Sequence, residues 1–268
     1  MFGQRGFIRG NNKNMKQPLI IGNWKMQLDP SESLKLAKKL ARASAKYKEV
    51  EVIVCPSFTE IAAVGEIIKG KKIKLGAQDC FWESEGEFTG EVSPKFLKEY
   101  GVEYIIIGHS ERRQYVHTTN EMINEKIKAL LEIGITPIMC VGETFEQRQD
   151  GEKEAILIKE ITDGLKEVWL NKSSNLIIAY EPIWMIGSGQ EIDPSEVEHT
   201  HQVIKQTLYD IFPDTMVDEQ VKIIYGGSVN PENITAFLEQ SAVDGALIGG
   251  SSLDATKFST IIAASINI

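Results

Sequence analysis

Tyr104-Ile105-Ile106-Ile107, then the stretch from Asn120 to Ile133 closed by Gly134, then Ile135-Thr136-Pro137-Ile138-Met139-Cys140-Val141 decide the fold. The two flanking runs are continuously apolar rather than alternating, the pattern of strands covered on both faces. Between them Ile123, Ile127, Leu130 and Leu131 fall on one face of a helix, and Gly134 provides the left-handed residue that commonly ends one. Strand, helix and strand in that order imply parallel strands joined by a right-handed crossover.

The same alternation extends in both directions. Apolar, β-rich runs occur at residues 19–21, 50–54, 73–75, 104–107, 135–141, 176–180, 221–225 and 243–248. Residues 31–46 repeat Leu34, Ala37, Leu40 and Ala41 at helical spacing. Residues 195–212 follow Asp193-Pro194, a capping acceptor and then Pro at the first helical position. Eight such units predict an α/β fold, a closed (β/α)8 barrel with eight parallel strands and eight outer helices. The alternative, an open doubly wound sheet, lacks the GxGxxG expected after its first strand.

Composition agrees. The 268 residues are 42% hydrophobic and 25% charged, which excludes a disordered chain, collagen or a coiled-coil rod. The net charge of −9 argues against nucleic acid and anionic membrane as partners, and no apolar run approaches a membrane span. Cys55, Cys80 and Cys140 show no CxxC spacing and read as reduced thiols of a cytoplasmic protein. His199 and His201 point to different helix faces, so neither a metal nor any other cofactor is expected. Residues 1–16 carry Arg5, Arg9, Lys13 and Lys16 with no acid and no apolar h-region. They are read as an extension, either disordered or lying upstream of a start at Met15. Residues 17–268 are read as one catalytic domain.

In such a barrel, function gathers where strands end and the following loops begin. Those positions hold Asn23-Trp24-Lys25, Gly108-His109-Ser110-Glu111-Arg112-Arg113, Glu181-Pro182, Gly226-Gly227-Ser228 and Gly249-Gly250-Ser251. Taken singly, a lysine is usually solvated, a histidine satisfied, and a Gly-Gly pair a turn. Their coincidence on one rim carries the weight. Paired glycines expose backbone N–H groups that suit a phosphate, with Ser228 and Lys25 as further donors. Glu181 can serve as a base made stronger by desolvation, His109 can polarise a substrate oxygen, and Asn23 and Lys25 can stabilise developing negative charge. This set predicts proton abstraction beside a carbonyl through an enediolate, an aldose–ketose isomerisation of a small phosphorylated metabolite. A catalytically silent barrel would be expected to lack Lys25, His109 or Glu181, and all three are present.

Four motifs then carry a resemblance. Gly22-Asn23-Trp24-Lys25-Met26, Ile107 to Arg113, Ala179-Tyr180-Glu181-Pro182-Ile183-Trp184 and Tyr225-Gly226-Gly227-Ser228-Val229 resemble the triosephosphate isomerase family, in order and from about Lys16 to the C-terminus. The resemblance implies the TIM barrel and interconversion of dihydroxyacetone phosphate and D-glyceraldehyde 3-phosphate, in glycolysis and gluconeogenesis. It implies Glu181 as base, His109 as a neutral electrophile, and Asn23 and Lys25 as substrate-binding groups. Gly187, Ser228, Gly249 and Gly250 would grip the phosphate. Ser110 would hold Glu181 in the open state, Glu111 would order Lys25, and Ile186 and Leu247 would clamp over the carboxylate. Residues 182–192 would form a lid, whose departures at Met185, Ser188 and Gln190-Glu191-Ile192 are expected to slow its motion. The family's acid is replaced by Thr118, leaving Arg112 in need of another partner. The aromatic loop 78–93 implies a homodimer, with Thr89 reaching the neighbouring subunit's site.

Overall fold

The structure, a computed structural model, describes residues 17–47, 49–185 and 192–266; the extension at 1–16 lies outside the described residues. Strands β1 (Leu19–Asn23), β2 (Glu51–Cys55), β3 (Lys74–Ala77), β4 (Val102–Ile107), β5 (Thr136–Val141), β6 (Leu176–Tyr180), β7 (Val221–Tyr225) and β8 (Gly245–Ile248) pair in chain order. Each is parallel to its neighbours, and β8 returns to β1 to close the barrel. The helices on its first half are α1 (Pro30–Ala43), α2 (Ile61–Ile68), α3 (Pro94–Glu99), α4 (Ser110–Val116) and α5 (Asn120–Glu132). The second half carries α6 (Phe145–Gln149), α7 (Lys153–Gly164), α8 (Pro194–Ile211), α9 (Asp214–Gln220), α10 (Ile234–Leu238) and α11 (Ala255–Ala264).

The apolar runs explain this arrangement. In β4, Tyr104 and Ile106 join the cluster that fills the barrel, while Ile105 and Ile107 join the layer beneath the helices. Both faces are therefore buried, and each isoleucine removed from water contributes about 1.5–3 kcal/mol. The expected helix ends hold in detail. Gly134 has φ +73° just past α5, and Asp193 accepts a hydrogen bond from Ser195 N–H at the start of α8. Two features differ from expectation. The helix read over 31–46 is α-helical from Pro30 to Ala43 and tightens to a 3-10 turn over Ser44–Lys46, where the Ser44 hydroxyl donates to the Ala41 carbonyl at 2.8 Å. The segment after β4, read as a loop, contains α4, whose first turn is capped by His109.

At the strands' N-terminal ends Glu51 accepts from Lys74 (2.9 Å), Tyr104 OH (2.6 Å) and Lys222 (3.2 Å). Burial opposes the Glu51 charge, yet these donors hold its pKa down at about 2. This polar plug closes the end of the barrel away from the loops described next, where the fold's stability resides.

Candidate active site

Backbone geometry brings the rim residues together. Asn23 ends β1 and accepts the Lys25 N–H at 3.1 Å, while Lys25 itself adopts φ +52°, uncommon for a side-chain-bearing residue. Its carbonyl is held by Gln78 Nε2 at 2.8 Å and by the Ser57 hydroxyl at 3.2 Å, which offsets the local strain. The Lys25 ammonium then meets Glu111 Oε1 at 2.6 Å. Arg113 ties β4 to β5 by donating to the carbonyls of Gly108 (3.0 Å) and Cys140 (3.2 Å), and this fixes where His109 leaves the strand.

His109 is buried, and its Nδ1 accepts the Glu111 N–H at 3.2 Å. That bond leaves Nε2 as the nitrogen bearing the proton in the neutral ring. Nε2 lies 3.1 Å from Glu181 Oε1, and the other carboxylate oxygen accepts the Ser110 backbone N–H at 3.1 Å. Glu181 is 2% exposed. Burial pushes its carboxyl upward, but His109, the Ser110 N–H and Lys25 together hold it below its ordinary value. The base strengthened by desolvation alone is therefore not what this arrangement presents. Burial likewise presses His109 down, and the charge of Glu181 carries it above its ordinary value. Beneath them the Cys140 thiol is pushed well up, by burial first and then by Glu181, so it remains a thiol.

A cavity of about 320 Å³ is shared by Asn23, Lys25, His109, Glu181, Ser228, Leu247, Gly249 and Gly250. Nearly all the described candidates for reaction and binding thus meet at one mouth. Gly226, just after β7, allows the chain to close on Glu181, since a Cβ there would stand 2.9 Å from Glu181 Cγ. Gly250 opens onto free space, as a surface meant to face a ligand should. Ile186, Gly187, Ser188, Gly189, Gln190 and Glu191 lie outside the described residues; Met185, just before them, is fully buried.

Thr89 is exposed on its loop. Phe81 stacks on Trp82 at 3.9 Å and meets Phe88 at 4.6 Å, so the loop's aromatics partly cover one another and Phe88 stays 42% exposed. Arg112 finds the partner that Thr118 cannot supply. Its Nε lies 2.6 Å from Asp79 Oδ2, out of line for a hydrogen bond, and the same carboxylate takes two bonds from buried Lys126 (2.8 and 2.9 Å). Asp79, Gln78 and Gly142 were all missed in the sequence. Gln78 follows β3 directly, so the strand-end rule pointed to it; a Cβ at Gly142 would fall on the Glu181 carbonyl, a clash no local pattern reveals.

The sequence model of the triosephosphate isomerase family matches residues 18–265. The triosephosphate isomerase of Thermoanaerobacter sp. (strain X514) is 44% identical over 248 residues, covering 92% of this chain and 99% of the relative. That of Carboxydothermus hydrogenoformans is 44% identical over 252 residues, 94% of this chain and 100% of the relative. The crystal structure of triosephosphate isomerase from Bartonella henselae superposes with a TM-score of 0.82 at 33% identity, covering 92% of this chain and 98% of that one.

Proposed function

The chain belongs to the triosephosphate isomerase family and is an aldose–ketose isomerase, and from that premise we propose that Glu181 interconverts dihydroxyacetone phosphate and D-glyceraldehyde 3-phosphate by proton transfer through an enediolate. One observation carries the reading: carboxylate, imidazole and ammonium face a single cavity that Ser228, Gly249 and Gly250 also line.

Without substrate, Glu181 is an anion matched to His109. A substrate whose oxygens take the His109 Nε2 proton and the Lys25 ammonium removes the partners that hold Glu181 down. Burial, the largest influence on that carboxylate, then acts unopposed and makes it a stronger base at the moment a carbon-bound proton is within reach. His109 donates from Nε2 as a neutral ring once Glu181 turns away, because the Glu111 N–H keeps Nδ1 unprotonated. Asn23 and Lys25 bear the charge that develops on the enediolate oxygens. The backbone of Ser228, Gly249 and Gly250, with Gly187, holds the phosphate, and Leu247 and Ile186 keep the carboxylate dry. Glu111 orders Lys25, and Ser110 parks Glu181. The reaction belongs to glycolysis and gluconeogenesis in the cytoplasm, and residues 17–268 work as one domain in a homodimer, with Thr89 at the partner's site. No helix among the described residues is long and apolar enough to cross a membrane.

A coupled assay with D-glyceraldehyde 3-phosphate on wild type and Glu181→Gln tests this. The variant should lose at least ~10²–10⁴ in kcat, the range for positioned proton transfer. Equal rates would overturn the assignment.

A further inference from the structure

Arg148, on α6, makes two contacts that one planar guanidinium can combine. Its Nη1 and Nη2 donate to the two carboxylate oxygens of Glu196 on α8, at 2.5 and 3.0 Å, while its central carbon lies 4.6 Å from the Trp184 ring centroid. The Trp184 indole N–H donates to Glu143 Oε1 at 2.9 Å, and Tyr180 OH donates to the same oxygen at 3.2 Å. The Glu143 carbonyl accepts the Ile183 N–H at 3.1 Å. Glu143 is fully buried, and its second oxygen has no partner. Among the described residues, Arg148 is the cation within ion-pairing reach of this carboxylate, its Nη1 lying 3.7 Å from Oε1. A buried carboxylate so placed depends on that charge.

These contacts bracket Glu181: Tyr180 precedes it, and Ile183 and Trp184 follow. We propose that Arg148 is a positioning residue for Glu181, holding the Tyr180–Trp184 stretch by stacking on Trp184 and neutralising Glu143 while Glu196 anchors its fork. The inference rests on the reading of Glu181 as the base. Glu181 meets His109 and Ser110 at 3.1 Å each, and a displacement of about 1 Å from such geometry costs up to ~10²-fold in rate. Lysine cannot replace arginine here, because an ammonium neutralises charge but cannot fork onto Glu196 and stack on Trp184 together.

The test is steady-state kinetics with D-glyceraldehyde 3-phosphate on Arg148→Met, Arg148→Lys and Glu196→Gln, beside wild type and Glu181→Gln. Arg148→Met should lower kcat roughly 10- to 100-fold while KM stays within about twofold, since the phosphate cradle is untouched. Arg148→Lys should recover part of kcat, and Glu196→Gln should fall in the same direction by less. Adding Trp184→Phe to Arg148→Met should cost little beyond the larger single loss, because both act along one path. Wild-type kcat in Arg148→Met, or in both Arg148→Lys and Glu196→Gln should Arg148→Met not fold, overturns the proposal even if the melting temperature drops. Fully additive losses in the double variant overturn it as well. An unimpaired Glu181→Gln would instead remove the reading of the base on which it stands.

Discussion

Lys25 shows how much one residue depends on its neighbours. Its positive φ is held by Gln78 and Ser57, its ammonium by Glu111, and a Cβ on Gly249 would stand 3.4 Å from its Cε. The lysine thus lies across the glycines expected to face the phosphate. Lys25→Met removes the cation from that cavity and should lower kcat by roughly 10²–10³, as for the loss of one oxyanion-stabilising donor. KM should rise with it, because the same charge draws the phosphorylated substrate. Steady-state kinetics in which only KM moved would show that Lys25 binds without stabilising the transition state. Lys25 itself was legible from its place after the first strand. The state of Glu181 was not: its burial could be anticipated, whereas the His109 contact that reverses burial's effect depends on where two separate strands end.

Elements are joined by charges that helical patterns do not predict. The Asp79 carboxylate binds the loop after β3 to α5 through Lys126 and to α4 through Arg112. Asp79→Asn should cost about 3–5 kcal/mol of stability, because it leaves a buried ammonium without its counter-charge. Chemical denaturation would measure it, and Lys126→Met in the same chain should restore part of the loss. A variant as stable as wild type would mean that Arg112 and Lys126 are satisfied elsewhere. On α8, His199 faces outward to Glu154 at 3.1 Å, whereas His201 is fully buried. The separation of the two onto different faces followed from helical geometry alone. Burial lowers the His201 pKa from its ordinary 6.5 to about 4. The unfolded chain therefore takes up a proton between those values while the folded chain does not. Stability is complete above pH 6.5 and falls as the pH drops towards 4, by about 3 kcal/mol from this residue. Midpoints measured across that window at fixed protein concentration should slope less in His201→Gln; an unchanged slope would assign the acid sensitivity to other groups.

At the scale of the molecule, the acidic balance of −9 leaves association to surfaces rather than to net charge. Met26 is 93% exposed beside Lys25, and Tyr115 is 71% exposed on α4. Large apolar side chains left open next to a site favour burial by a second subunit. Sedimentation should find a dimer at micromolar concentration, and activity per chain should fall on dilution as the dimer dissociates. A fully active monomer at nanomolar concentration would contradict this.

Eight apolar runs, the three strongly patterned helices at 31–46, 120–133 and 195–212, and the residues standing where each run stops were determined by the sequence itself. The reason is local: covering both faces of a strand, or one stripe of a helix, leaves its period in the order of residues. Closing the barrel decided the rest. It set Asp79 against Arg112, Gln78 against the Lys25 carbonyl, Arg148 between Trp184 and Glu196, and His109 against Glu181. Those contacts join side chains from different strands and helices, and strand register and helix packing set their distances. Neither leaves a periodic trace in the chain.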